Sequence, residues 1–154
     1  MALAEWKPEL SVGVLCLDDG HRHLLRLLAQ LRSALQQSWE ALPTSALLNE
    51  LLGYARSHFH TEEQHMDSYG YPALAPHRAE HQQFTSRMIQ CCEQILCSEE
   101  AFSAKRLELP TAMLAGLEDW LLCHIQNADG AYARYLEALR TAPSDPCGNA
   151  AAVQ

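Results

Sequence analysis

Residues 47–69 read LLNELLGYARSHFHTEEQHMDSY. Leu47, Leu51 and Tyr54 or Ala55 recur at helical spacing, and the same stripe runs on through His58, Glu62, His65 and Tyr69. Pro43 and Thr44 open this helix, Gly70 ends it, and Tyr71-Pro72 turns the chain. An apolar face that continues as imidazoles and a carboxylate must bury groups that are costly to desolvate. Whatever surrounds this helix therefore has to supply partners for them.

Three further segments of the same period flank it. The first opens at Asp18 or Asp19, good N-cap types, and runs to about Ser38, with Leu17, His21, Leu24, Leu28, Leu31 and Leu35 on one stripe. The third spans about Leu74 to Cys97, with His77, His81, Phe84, Met88, Cys91 and Ile95 facing inward. The fourth begins after Pro110, a residue suited to a first turn, and carries Leu114, Leu117, Leu121 and His124. Gly130 after Asp129 predicts a break, followed by a short helix from Tyr132 to Arg140. Strand signals are nearly absent. The expected fold is all-α, an up-down-up-down four-helix bundle over residues 1–140 with a short C-terminal helix. Residues 141–154, with Pro143, Pro146 and Gly148, are expected to form a flexible tail.

Composition narrows the partners. The 154 residues are 48% hydrophobic and 19% charged, as a single globular domain requires. A net charge of -8 argues against nucleic acid or an anionic membrane, each of which needs a basic face. The first ten residues hold no apolar core of a signal peptide, and no apolar run is long enough for a membrane span. A cytoplasmic location is expected, as a monomer or weak oligomer. The six cysteines, at 16, 91, 92, 97, 123 and 147, form no CxxC pair and read as reduced thiols, mostly buried.

Besides His65, five of the eight histidines lie on inward stripes. His77 and His81 stand at i and i+4, about 6 Å apart on one helix face. His58 and Glu62 repeat that geometry, and His21 and His124 add an imidazole from each remaining helix. Asp129 follows His124 by five residues, where the helix is ending and its carboxylate can swing inward. Left without a common partner, these groups would cost several kcal/mol in unsatisfied polar atoms, and a bound cation removes that cost. Seven nitrogen and oxygen donors are too many for one zinc ion, and calcium or magnesium prefers nearly all-oxygen shells. Imidazoles with two carboxylates able to bridge suit a pair of first-row transition ions, iron above all. Carboxylate-rich di-iron oxidases carry two ExxH motifs, whereas Glu62-Glu63-Gln64-His65 is the one copy here.

Four motifs now stand in order: Leu17-Asp18-Asp19-Gly20-His21-Arg22-His23-Leu24; His58 to Met66 followed by Tyr71-Pro72; His77 and His81; and Trp120 to Asp129. With them the chain resembles the bacterial hemerythrins from Trp6 to about Leu139. The resemblance implies that His77, His81 and His124 bind one iron and His21 and His58 the other. Glu62 and Asp129 would bridge the two, beside an oxo or hydroxo group. It also implies reversible dioxygen binding at an open position on the second iron, for storage, delivery or buffering and not for catalysis. A protein that receives the oxygen is a possible partner. The alternatives are an oxygen or redox sensor, or a di-iron enzyme acting on peroxide, nitric oxide or iron. Trp120, Leu121 and Ile125 resemble the family's apolar oxygen-pocket lining, and Tyr132 an aromatic beside the site. Three positions depart from the family. Gly20 replaces Gln, Gly130 replaces Lys and could loosen the Asp129 turn, and His65 replaces a large aliphatic residue. His65 is expected to face the interior, there either hydrogen-bonded to a neighbouring helix or influencing oxygen release or autoxidation. His23 and His60 fall on other helix faces and are expected to be solvated.

Overall fold

A computed structural model describes residues 6–37, 41–96 and 105–142 of the chain. After a short 3-10 turn at Pro8–Leu10 come α1 (Leu15–Gln37), α2 (Ala41–Ser68), α3 (Leu74–Leu96) and α4 (Lys105–His124). A π-helical turn, Ile125–Asp129, leads directly into α5 (Gly130–Thr141). The described residues contain no strand. Each helix packs on its neighbour in sequence, and α4 closes the ring against α1, as the expected bundle requires. A buried Arg32–Glu118 ion pair also joins α1 to α4. No helix among the described residues is long and apolar enough to cross a membrane.

The core lies in two apolar layers. The larger contains Leu24, Leu28, Leu51, Phe59, Phe84, Leu121 and Ile125. The smaller contains Val12, Leu17, Met66, Tyr132 and Leu136. Along α1 the stripe passes from Leu17 to Leu24 through His21, and along α2 from Phe59 to Met66 through Glu62. From α4 into α5 it passes from Ile125 to Tyr132 through Asp129. One polar layer is thereby held between two layers of hydrocarbon.

Several boundaries differ from those the sequence suggests. α1 starts at Leu15, so Asp18 and Asp19 are not its N-cap. The chain reverses at Gly13, whose φ of 74° places it in the left-handed region. That reversal lets Asp18 accept hydrogen bonds from the Ser11 hydroxyl (2.6 Å) and the Val12 amide (2.8 Å). Asp19 pairs instead with Arg22. α2 begins at Ala41, ahead of Pro43, and α4 at Lys105, so Pro110 lies inside the helix and not in its first turn. A proline this near a start removes one backbone bond without ending the helix.

The break expected at Gly130 is absent, since its φ and ψ of -60° and -34° are helical. Gly70, at φ 64°, does end α2, with the Tyr71 amide bonded to the Met66 carbonyl at 3.0 Å. Tyr69 lies beyond the end of α2 and is exposed, so it leaves the inward stripe. Of the described cysteines only Cys91 is buried; Cys92 is half-buried, and Cys16 and Cys123 are exposed. Being mostly buried is therefore not the rule for these thiols. Cys97, Cys147 and residues 143–154 of the expected tail lie outside the described residues, as do Ser38 and the Ile95 side chain. His60 is exposed as expected, whereas His23 is half-buried with its ring 4.1 Å from that of Tyr54.

Candidate metal centre

Glu62 is fully buried at the middle of the polar layer, its carboxylate facing imidazoles from three helices. His81 Nε2 lies 3.2 Å from it, His77 Nε2 3.6 Å, His21 Nε2 3.7 Å and His58 Nε2 4.0 Å. Asp129 meets His21 Nε2 at 3.2 Å, His124 Nε2 at 3.3 Å and His77 Nε2 at 3.4 Å. The structure thus brings together all seven side chains singled out as candidate ligands, and every one is buried. They fall into two groups able to hold a metal ion, Glu62 with His77, His81 and His124, and His21 with His58 and again Glu62. Within each group one donor atom per residue lies within 4.8 Å of the others. Glu62 is common to both groups, and Asp129 touches imidazoles of each.

Asp129 arrives there because the backbone widens. In an α-helix a residue five positions after His124 points well away from its face. In the π turn the Gly130 amide reaches back five residues to the Ile125 carbonyl, and the extra residue per turn rotates Asp129 under His124. What reads in sequence as a helix break is therefore a continuous helix with a local change of pitch.

The protonation pattern is that of a site built for positive charge. Burial opposes the ionised form of Glu62, but His21, His77 and His81 hold its carboxyl well below the usual range. Asp129 is likewise held down by His124 and His21, against burial and the charge of Glu62. Burial disfavours a proton on His21, yet Asp129 and Glu62 prevail and raise it to about 9. His124 is raised too, by Asp129 and Glu80 against burial. His58 behaves oppositely, because burial outweighs the attraction of Glu62 and lowers it to about 4. The carboxylates are held toward their ionised form, and His21 and His124 draw protons into a place that suits a cation.

Hydrogen bonding points the same way. His21 Nδ1, His58 Nε2, His77 Nε2 and all four oxygens of Glu62 and Asp129 are buried without a hydrogen-bond partner in the protein. Each such atom costs on the order of 1–3 kcal/mol, which no packing contact recovers. Metal ions satisfy imidazole nitrogens and carboxylate oxygens together, so the donor set fits a pair of cations.

The surroundings hold residues that sequence reasoning passed over. His81 Nδ1 lies 2.9 Å from Glu63, which also pairs with Arg78, and His124 Nδ1 lies 2.7 Å from Glu80. Such carboxylates fix the ring and strengthen the opposite nitrogen as a donor. Phe59 stacks on His81 at 3.9 Å, and Trp120 stacks on His124 at 4.6 Å. Leu121 and Ile125 are buried beside them in the larger core layer. His65 is half-buried, with Nδ1 2.6 Å from the hydroxyl of the fully buried Tyr132.

Gly20 is the least visible of these positions in sequence. A Cβ there would lie 2.1 Å from Nδ1 of His58 and 2.5 Å from its Cε1. A side chain at position 20 therefore requires the His58 ring to move. Gly20→Ala is expected to push the ring aside and halve the metal content from two ions per chain to one. Elemental analysis of protein loaded with excess metal checks this, and two retained ions would show that His58 does not need the space.

Residues 13–136 match the family model described as the hemerythrin HHE cation binding domain. A bacteriohemerythrin of Stenotrophomonas maltophilia is 32% identical over 138 residues, covering 90% of this chain and 84% of that protein. The bacteriohemerythrin of Pseudomonas aeruginosa strain PAO1 is 28% identical over 94% of this chain and 87% of its own length. That of Methylococcus capsulatus is 27% identical over 90% of this chain and the whole of its own. A crystal structure of a leucine-to-phenylalanine mutant superposes with a TM-score of 0.75 at 24% identity, over 90% of this chain and all of that one. At that identity it shows a shared fold.

Proposed function

This chain belongs to the hemerythrin family, and on that premise we propose that it binds dioxygen reversibly at a pair of non-haem iron ions. The observation that carries the proposal is the division of the buried donors into two groups that share Glu62. When bound, two ferrous ions supply one electron each to dioxygen.

The protein's own residues prepare that chemistry. His77, His81 and His124 give one ion three imidazoles, while His21 and His58 give the other two. Glu62 and Asp129 would be shared between the ions, so that the ion held by His21 and His58 would have fewer protein donors and could take a small ligand. Five neutral donors against two carboxylates bring less negative charge than an oxidase centre, which disfavours the high-valent states that attack substrates. Glu63 and Glu80 hold the rings of His81 and His124 in place. Leu121 and Ile125, each about 1% exposed, keep bulk water from the polar layer, and Trp120 covers the face of His124. Excluding water slows the loss of bound oxygen as peroxide. These features support carriage or buffering of oxygen without turnover.

Anaerobic iron loading followed by air tests the proposal. Two irons per chain are expected, with a visible charge-transfer band that appears in oxygen and bleaches on argon purging. Fewer than two irons, or a band that does not reverse, would sink it.

A further inference from the structure

His65 and Tyr132 are outside the donor set but joined to each other beside it. They come from α2 and α5, with His65 Nδ1 2.6 Å from the Tyr132 hydroxyl and the rings nearly perpendicular at 87°. Tyr132 is wholly buried, one helical turn beyond Asp129, and near enough to Glu62 to feel its charge. His65 lies one turn beyond Glu62. Its other side forms part of the wall of a cleft of about 320 Å³, bounded also by Gly13, Tyr69, Leu136 and Arg140. That volume accommodates several water molecules. The hydrogen bond joins His65, which borders the cleft, to Tyr132, which is buried in the smaller apolar layer next to the polar layer.

We propose that His65 and Tyr132 form a proton relay from this cleft to the metal chamber, controlling how fast oxygen held there leaves as hydrogen peroxide. The proposal rests on the oxygen-binding function above. The reaction balances as O2 + 2 Fe2+ + 2 H+ → H2O2 + 2 Fe3+, so oxygen takes both electrons from iron, and the protons must come from outside the apolar layers. In one pass, water in the cleft protonates His65 Nε2 and Nδ1–H passes its proton to the Tyr132 oxygen. The phenol's own proton then moves inward. Each pass ends with a neutral imidazole and an intact phenol, and the half-exposed ring regains its starting tautomer by exchange with cleft water. No phenolate is formed. That matters because burial, with the neighbouring Tyr69 and Glu62, raises the Tyr132 hydroxyl far above its ordinary value.

The test mixes ferrous protein with oxygen and follows iron oxidation and peroxide release, in water and in deuterium oxide, for wild type, Tyr132→Phe and His65→Leu. Both variants are expected to keep the wild-type metal count, to react at least about 100-fold more slowly, and to lose the solvent isotope effect. Nitrogen-15 NMR of the metal-free protein gives a readout independent of oxygen chemistry. The His65 Nδ1 resonance should report a hydrogen bond and move on Tyr132→Phe. Unchanged rates and isotope effects in both variants at equal iron content would overturn the relay alone, as would an Nδ1 resonance indifferent to Tyr132→Phe. Wild-type protein that takes up two irons but does not react with oxygen would overturn the function of the site, and the relay's role with it.

Discussion

Removing the metal is expected to lower the melting temperature by about 10 °C, one of the two largest effects foreseen for this protein. Six buried atoms that face the site, His58 Nε2, His77 Nε2 and the four oxygens of Glu62 and Asp129, have no hydrogen-bond partner in the protein, and they are drawn from α2, α3 and the π turn. In the empty site their desolvation is offset only by ion-pair contacts of 3.2–4.0 Å. Bound ions replace those contacts with coordination that ties the helices together. A ligand present at a thousand times its Kd and bound only by the folded chain stabilises it by about 4 kcal/mol. For a chain of this size each kcal/mol moves Tm by roughly 2–4 °C, hence a shift of about 8–16 °C. Calorimetry on iron-loaded protein and on the same sample after dialysis against a chelator measures it. A shift of no more than about 2 °C would mean that the polar layer is satisfied without metal, and the two-cation site would be untenable.

How much of this was legible in the sequence depends on the direction in which each residue acts. Ligand candidates on the regular helices announce themselves, because an imidazole at i and i+4 on a leucine stripe has no reason to be there unless buried together with others. His21, His58, Glu62, His77, His81 and His124 are all of this kind. Asp129 is not, since α-helical period puts it off the face of His124. The five-residue spacing hints at it, but only the π turn makes the spacing work. Glu63 and Glu80 look like solvated helix residues, and their role depends on imidazoles contributed by neighbouring helices. His65 and Tyr132 are 67 positions apart and meet only because α5 continues α4 without the expected break. Gly20 shows in the sequence only as a departure from the family, and its reason, the absence of a side chain where the His58 ring lies, appears only in the fold. Asp18 was legible as a capping type of residue. The helix begins a turn earlier, however, so its carboxylate ties down the Ser11–Val12 segment and caps nothing.

Glu62→Gln is expected to empty both metal positions, taking the count from two ions per chain to nearly none. The amide keeps the shape of the side chain, so the change is one of charge. Glu62 is the one residue common to both donor groups, and its carboxylate lies within 4.0 Å of four of the five imidazoles. Losing it removes a shared negative ligand from each cation and leaves Asp129 alone to balance two of them. An outer carboxylate such as Glu63, which only orients His81, sets the scale for comparison. Removing a partner of that kind costs about 10–100-fold in metal affinity, so Glu63→Gln should still bind two ions at saturating metal. Glu62→Gln should weaken binding by more than about 100-fold, beyond that range, and show few ions at any practical concentration. Competition against a chelator of known affinity, with elemental analysis at saturation, separates the two outcomes. If Glu62→Gln held two ions as tightly as Glu63→Gln, the carboxylate would be a neighbour of the metals and not the bridge between them.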